Sequence, residues 1–236
     1  MLQQTQVVRV IPKYQAWLEA FPSLADLAAA PLSEALRLWS GLGYNRRGKW
    51  LWESARSLME GGGQVPRDAA ALETLPGVGP YTARAVLTFA FGSPEVFIET
   101  NIRRVFIHFF FPPSVAEGGE AAKVSDAQIL PLVEASLDRQ NPREWYYALM
   151  DYGAALPKVT SNSNARSKTY KIQSTFRGSR REARGAIMRA IAAGPTDLDE
   201  IALRSGISRE RLEEACRSLQ AEGLVAETEA GYTIPG

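Results

Sequence analysis

The stretch Leu75-Pro76-Gly77-Val78-Gly79-Pro80-Tyr81-Thr82-Ala83 sets the strongest limit on what this chain can become. It stands between two helical patterns. Upstream, Asp68 to Thr74 is polar with apolar points; downstream, Ala83, Val86, Leu87 and Ala90 recur at helical spacing as far as Phe91. Two glycines one residue apart admit a positive φ where a Cβ would be penalised, and Pro80 suits the first turn of the following helix. The segment predicts a tight helical hairpin with unpaired backbone N–H groups at a helix N-terminus. Such a site suits an anion. A DNA phosphate is the natural candidate, because no side chain crowds the approach to Gly77, Val78 and Gly79. An ordinary helix–helix turn accounts for a bare Gly-Val-Gly, but the whole string is far more specific.

Around it the chain reads as mainly helical. Apolar residues make up 45% and charged residues 22%, the balance of a globular protein with a sizeable core. No run approaches the length of a membrane-spanning helix, and no basic segment precedes an apolar one at the start. Nothing addresses the chain to a membrane or for export, so cytosolic residence is the expectation. Leu2, Val7, Val10 and Ile11 predict a helix already under way at Met1, followed by Pro12, Tyr14, Trp17, Leu18 and Phe21 in a second pattern. Ala25 to Ser40 predicts a helix interrupted near Pro31, with Leu27, Leu32, Ala35, Leu36 and Trp39 inward. Lys49 to Glu60 predicts another, with Trp50, Leu51, Ala55 and Leu58 toward the core. Ser125 to Leu137 and Pro142 to Leu156 continue the series.

Between these patterns lies Gly41-Leu42-Gly43-Tyr44-Asn45-Arg46-Arg47. Its glycines predict a sharp turn, Tyr44 offers a flat wedge, and Arg46 and Arg47 offer phosphate contacts. A protein that extracts a base must fill the hole it leaves, and an aromatic or amide side chain pushed into the stack does so. A core tyrosine after a turn accounts for Tyr44 taken alone; it explains the pair Gln3-Gln4 poorly.

At these residues the chain resembles a known family. Leu75 to Ala83 is similar to the helix-hairpin-helix of the base-excision DNA glycosylases related to endonuclease III. Met1-Leu2-Gln3-Gln4-Thr5-Gln6-Val7 and Gly41-Leu42-Gly43-Tyr44 resemble the MutY-type adenine glycosylases within it. The resemblance covers about residues 1 to 156. It implies contacts to DNA from Gln3, Gln4, Tyr44, Arg46, Arg47, Gly77, Val78, Gly79, Thr82 and Arg103, with Gln4 and Tyr44 entering the duplex beside the base opposite the extruded one.

The resemblance also implies a catalytic set of Glu99, Asn101 and Tyr81. In Ile98-Glu99-Thr100-Asn101-Ile102-Arg103, Glu99 takes the place of the family's aspartate and Asn101 that of its asparagine. Cleaving a purine N-glycosidic bond builds positive charge on the sugar, so a fixed anion near the anomeric carbon lowers the barrier, while an acid neutralises the departing base. Glutamate keeps the charge on an arm one methylene longer. A residue at a helix N-terminus favoured by the dipole is the alternative for Glu99. Bifunctional relatives carry a lysine at the Tyr81 position. A phenol cannot form an imine, which implies a monofunctional enzyme with water as nucleophile. The family's acid glutamate belongs two positions before the methionine of the first motif, which points to a fragment, a mis-called start or a shortened, inactive relative.

Ala148-Leu149-Met150-Asp151-Tyr152-Gly153-Ala154 matches the family string that precedes four iron–sulfur ligands. Pro157 to Phe176 contains no cysteine, and Cys216 is the only one in the chain, so no cluster, metal or other cofactor is expected. Residues 165–189 instead carry eight basic residues and one acidic, a charge of +7, which suits either a phosphate backbone or a solvated linker. Residues 190–236 carry −5.

From Arg180 the pattern becomes three helices and a short hairpin, similar to a winged helix, with Ser208 capping the third helix and Gly223 ending it. Glu210, Glu213, Glu214 and Glu222 outnumber Arg209, Arg211 and Arg217 there. That charge argues for a brace or a protein contact rather than strong duplex binding.

The expectation is therefore a mainly α protein, a helix-hairpin-helix glycosylase domain (1–160), a basic linker (161–180) and a winged-helix-like α+β domain (181–236). It would act as a monomer on double-stranded DNA with a mismatched or damaged base, with residues 181–236 available to a protein partner. Adenine opposite 8-oxoguanine or guanine is the substrate expected, with mismatched thymine or uracil as the alternative. A catalytically inactive DNA-binding module is the alternative of another class.

Overall fold

A computed structural model describes residues 1–2, 5–112 and 122–236. The expected contacts of Gln3 and Gln4 thus lie outside the described residues. The chain is mainly helical, with one two-stranded sheet among the described residues. It divides into two compact units that do not follow chain order.

The first unit comprises residues 1–65, 75–77 and 174–236. It contains α1 (Val7–Ala20), α2 (Leu24–Ala29), α3 (Leu32–Trp39) and α4 (Arg46–Glu60). From the other end of the chain it takes α10 (Arg180–Ala193), α11 (Leu198–Ser205), α12 (Arg209–Ala221), β1 (Ala226–Thr228) and β2 (Gly231–Thr233). The strands pair antiparallel with Glu227 opposite Tyr232. Two apolar clusters support the unit. One joins Val10, Trp17 and Phe21 of the first helix region to Leu27, Ala35, Trp39, Leu42 and Ala55. The other joins Leu32 and Leu36 to Ile187, Ile191, Ile201, Leu212, Leu219 and Leu224, so α3 lends one face to each.

The second unit comprises residues 66–74 and 78–173. It contains α5 (Ala69–Glu73), α6 (Pro80–Phe91), α7 (Thr100–Phe110), α8 (Asp126–Ser136) and α9 (Pro142–Ala155), then two 3-10 turns at Leu156–Lys158 and Ser163–Arg166. Its core is Phe97, Ile102, Phe106, Ile107, Ile129, Val133 and Tyr146. Local signals explain the boundaries. Asp68 caps α5 through the Ala71 N–H at 2.8 Å, Ser125 and Gln128 form a capping box for α8, and Pro80 and Pro142 start α6 and α9.

Several sequence expectations need correction. The first helix does not run from Met1; it begins at Val7, with Gln6 extended as its N-cap, and continues through Pro12 as one helix. Val10 and Trp17 alone among its residues are buried, while Val7, Val8, Ile11, Tyr14 and Leu18 are exposed. Pro12 deprives the carbonyl four residues earlier of its partner, and that residue, Val8, is 74% exposed, so water can serve it. Leu51 is also exposed rather than inward. Ser208 occupies the N-cap of α12, but its side chain makes no capping bond. The segment around Arg166 is not a solvated linker: Val124 and Lys168 exchange two backbone bonds with Arg166 and Val124 carbonyls at 2.8 and 2.9 Å, and Arg166 donates to the Phe111 carbonyl.

Candidate functional site

In the second unit the segment 95–99 carries the expected carboxylate. It is irregular backbone, and Tyr146 of α9 fixes it. The Tyr146 hydroxyl accepts the Phe97 N–H at 3.1 Å and donates to the Glu95 carbonyl at 2.8 Å. Its ring stacks on Phe97 with centroids 4.0 Å apart. Burial pushes the phenol up to about 12, so it stays a protonated donor across the working pH range.

Glu99 follows as the N-cap of α7. Its Oε1 accepts the N–H groups of Asn101 at 2.6 Å and Ile102 at 2.9 Å. This is the helix-end role weighed as an alternative, and it fixes the carboxylate without using Oε2 in either bond. Desolvation raises the pKa of Glu99 above the ordinary carboxylate range; the two amides, then Arg103 and Arg104, oppose the rise. Glu99 is half-buried, and a partly desolvated anion that still has one oxygen outside its cap bonds can stabilise a nearby cation.

Asn101, Arg104 and Gly153 form a second layer. Arg104 donates to Asn101 Oδ1 at 2.7 Å and to the Gly153 carbonyl. A Cβ at Gly153 would lie 2.4 Å from the Asn101 carbonyl oxygen, so only glycine lets α9 pass this close to the start of α7. Arg104 also donates to Asn162 at 3.2 Å, and Ser163 lies 3.4 Å from His108. The cysteine-free segment after α9 is therefore attached to α7 by polar side chains.

Arg103 does not present itself to a phosphate. Its guanidinium makes a bidentate ion pair with Asp126 at 2.7 and 2.8 Å, and its side chain is 12% exposed. Tyr81, on the first turn of α6, meets Phe97 edge-on at 5.7 Å. Both line a cavity of about 660 Å³ with Arg84, Asp126 and Pro131; Glu99 is not among its lining residues. Thr82 is half-buried on the same turn.

The hairpin glycines divide their roles. Gly77 takes φ +72° and its Cα faces the Trp50 ring, where a Cβ would come within 2.4 Å. Gly79, by contrast, is extended as the N-cap of α6 with φ −101°, and a Cβ there would meet nothing. The expectation of positive φ thus holds for Gly77 and not for Gly79. Val78 is half-buried between them.

In the first unit, Gly41, Gly43 and Tyr44 all take positive φ, +91°, +76° and +49°. For a tyrosine this is a strained conformation, held by its surroundings. Trp39 Nε1 donates to the Gly43 carbonyl at 3.0 Å, Thr5 Oγ1 to the Leu42 carbonyl at 3.3 Å, and Arg9 to the Gly41 carbonyl. Leu42 is buried and Tyr44 is 43% exposed. Arg46 lies over the Trp50 ring at 4.7 Å and Arg47 is half-buried. Sequence reasoning placed Trp39 in the core without its bond to the turn, and missed Tyr146, Arg104 and Gly153. The one signal for Gly153 was its place in the string from Ala148 to Ala154.

A family model described as HhH-GPD superfamily base excision DNA repair protein matches residues 1–125, which include every site residue named so far up to Arg104. The chain belongs to this superfamily. Among curated HhH-GPD relatives, the adenine DNA glycosylase of Mycolicibacterium smegmatis is 35% identical over 253 residues, covering 98% of this chain and 83% of that protein. The human adenine DNA glycosylase is also 35% identical, over 209 residues and 87% of this chain. This chain spans 37% of the human protein's length. Among solved structures, a thermostable thymine-DNA glycosylase superposes with a TM-score of 0.57 at 26% identity, over 69% of this chain and 73% of that one.

Proposed function

We propose that the chain is a monofunctional DNA glycosylase that hydrolyses the N-glycosidic bond of adenine mispaired with 8-oxoguanine or guanine. The observation that carries this reading is Glu99, a desolvated carboxylate fixed at the head of α7 with only one oxygen in its capping bonds. Relatives named adenine DNA glycosylase at about this identity support the choice of base.

In the proposed reaction the C1′–N bond breaks, the base leaving with its electron pair and ending with one proton of the attacking water. The sugar becomes cationic, Glu99 stabilises that cation, and water supplies the hydroxyl that replaces the base. Tyr81 offers no amine, so the sugar is not attacked by the protein and strand cleavage does not follow. Asn101 and Arg104 act as positioning residues for the start of α7. Tyr44 fills the stack, and the backbone of Gly77 to Gly79, with Thr82, receives a phosphate of double-stranded DNA. A four-thiolate cluster is not part of this reading: the sequence has no cysteine between Pro157 and Phe176, and its only one, Cys216, is buried on α12.

The test is single-turnover base release from a duplex with adenine opposite 8-oxoguanine. Release by the chain, lost in Glu99→Gln with duplex binding retained, supports the reading. Binding without release by either protein makes it a DNA-binding module. The likeness to a thymine-DNA glycosylase structure favours mismatched thymine or uracil as the second reading, and release from a G·T or G·U duplex alone would establish it.

A further inference from the structure

The first unit holds a cleft of about 590 Å³, and one of its two walls has no part in the proposed glycosylase reaction. One wall is the Gly41–Arg47 turn with Trp50. The other is the face of α10 that carries Arg181, Arg184, Gly185, Met188 and Arg189, with Phe176 ahead of it. Arg9, Arg46, Arg47, Arg181, Arg184 and Arg189 line the cleft, and no carboxylate is among its lining residues.

Some of this charge is engaged within the unit. Arg184 makes a bidentate pair with Glu222 at 2.8 and 2.7 Å, and Arg46 lies 3.8 Å from the same carboxylate. Arg181 donates to the Ser174 carbonyl at 2.6 Å, which orients its guanidinium without cancelling the charge. Arg189 is exposed, and its guanidinium lies beside Gly185, where a Cβ would come within 3.2 Å of it. Tyr44, Trp50 and Phe176 place flat rings among these cations. Arginines holding phosphates beside rings that accept base or sugar faces are the combination that grips a nucleic-acid strand.

We propose that α10 is the second wall of a DNA-backbone cleft, in which Arg181 and Arg189 each contact a phosphate of the strand that the Gly41–Arg47 turn engages. The proposal rests on the DNA reading above and gives the C-terminal segment a nucleic-acid role through α10. It does not use α12, whose Arg209 and Arg211 are paired with Asp199, Glu213 and Glu182.

The experiment measures binding of an undamaged duplex by fluorescence anisotropy over a range of salt, with the full chain. Each lost phosphate contact lowers the slope of log affinity against log salt by about 0.9. Arg181→Ala/Arg189→Ala is expected to flatten the slope by about 1.8, so that between about 50 and 200 mM salt the wild type loses about twelvefold more affinity than the variant. Arg204→Ala/Arg217→Ala removes the same charge from α11 and α12 and is expected to leave the slope unchanged. Equal flattening by both pairs would overturn the proposal, since net charge alone would then explain it. So would an unchanged slope in the α10 pair, or displacement of the duplex by millimolar dGMP from the wild type but not from the α10 pair, which would make the cleft a free-nucleotide site. Melting curves for both variants control for folding. Base release is not measured here, so failure of this proposal leaves the glycosylase reading standing, and loss of base release leaves this one.

Discussion

Glu99 shows how one side chain can serve the fold at a cost set by pH. Its pKa is raised in the folded chain, so the folded state binds this proton more tightly than the unfolded one. The stabilising contribution is present below the ordinary glutamate range and is lost as pH rises through the raised value. Glu99→Gln removes the ionisation while keeping an oxygen for the cap. The variant's melting temperature should therefore gain on the wild type as pH rises from about 4 toward neutrality, with the opposite trend excluding the desolvated-anion description. Base release, in turn, should climb with pH along a limb displaced above the ordinary carboxylate range. Two neighbours test how the residue is held. Gly153→Ala drives a Cβ into the Asn101 carbonyl and should cost about 1–3 kcal/mol in denaturant unfolding. Tyr146→Phe leaves the Phe97 N–H and Glu95 carbonyl without their partner, and a loss of about 1–3 kcal/mol is expected there too. If Tyr146 matters only for packing, Tyr146→Phe will unfold like the wild type.

At the scale of elements, the Gly41–Arg47 turn combines strain with exposure. Tyr44 keeps a left-handed backbone while the residue stays 43% exposed. Tyr44→Asn suits that backbone better. It should keep the wild-type unfolding free energy within about 1 kcal/mol and weaken duplex binding by about 1–3 kcal/mol, the worth of one lost stack. Lower stability with unchanged binding would mark Tyr44 as a core residue instead. This turn and α6 were legible because each announces itself locally, through paired glycines and a proline at a helix start. The start of α1 was not. Val7 and Ile11 repeat with the right period, but spacing alone cannot tell a buried face from an exposed one. Arg103 failed for a related reason. Its basic character was visible, while the Asp126 that neutralises it lies 23 residues away across a helix pair. The hydrogen bonds of Tyr146 are equally remote in sequence, at 49 and 51 residues.

For the whole molecule, the informative fact is that the first unit draws on both ends of the chain. Composition and charge suggested a change of character near Arg180, and the three helices and hairpin beyond it are present. What the sequence pattern could not reveal is that Leu32 and Leu36 of α3 share a core with Ile187, Ile191 and Leu212. A chain ended at Gln173 should accordingly lose the first unit's cooperative unfolding and expose apolar surface, read as a lowered melting temperature and binding of a hydrophobic dye. An unchanged melting curve would show that residues 1–65 complete their core without the rest.

The same shared core has a consequence during synthesis. Leu36 emerges about 150 residues before the helix that covers it, and at about 5–20 residues per second a ribosome needs roughly 8–30 s to span that gap. Through that interval one side of α3 has no native cover, while the second unit, made from nearly consecutive residues, can already close. Nascent chains of this protein should therefore depend on a holding chaperone at the N-terminal third, and slowing translation between Gly92 and Gln173 should deepen that dependence.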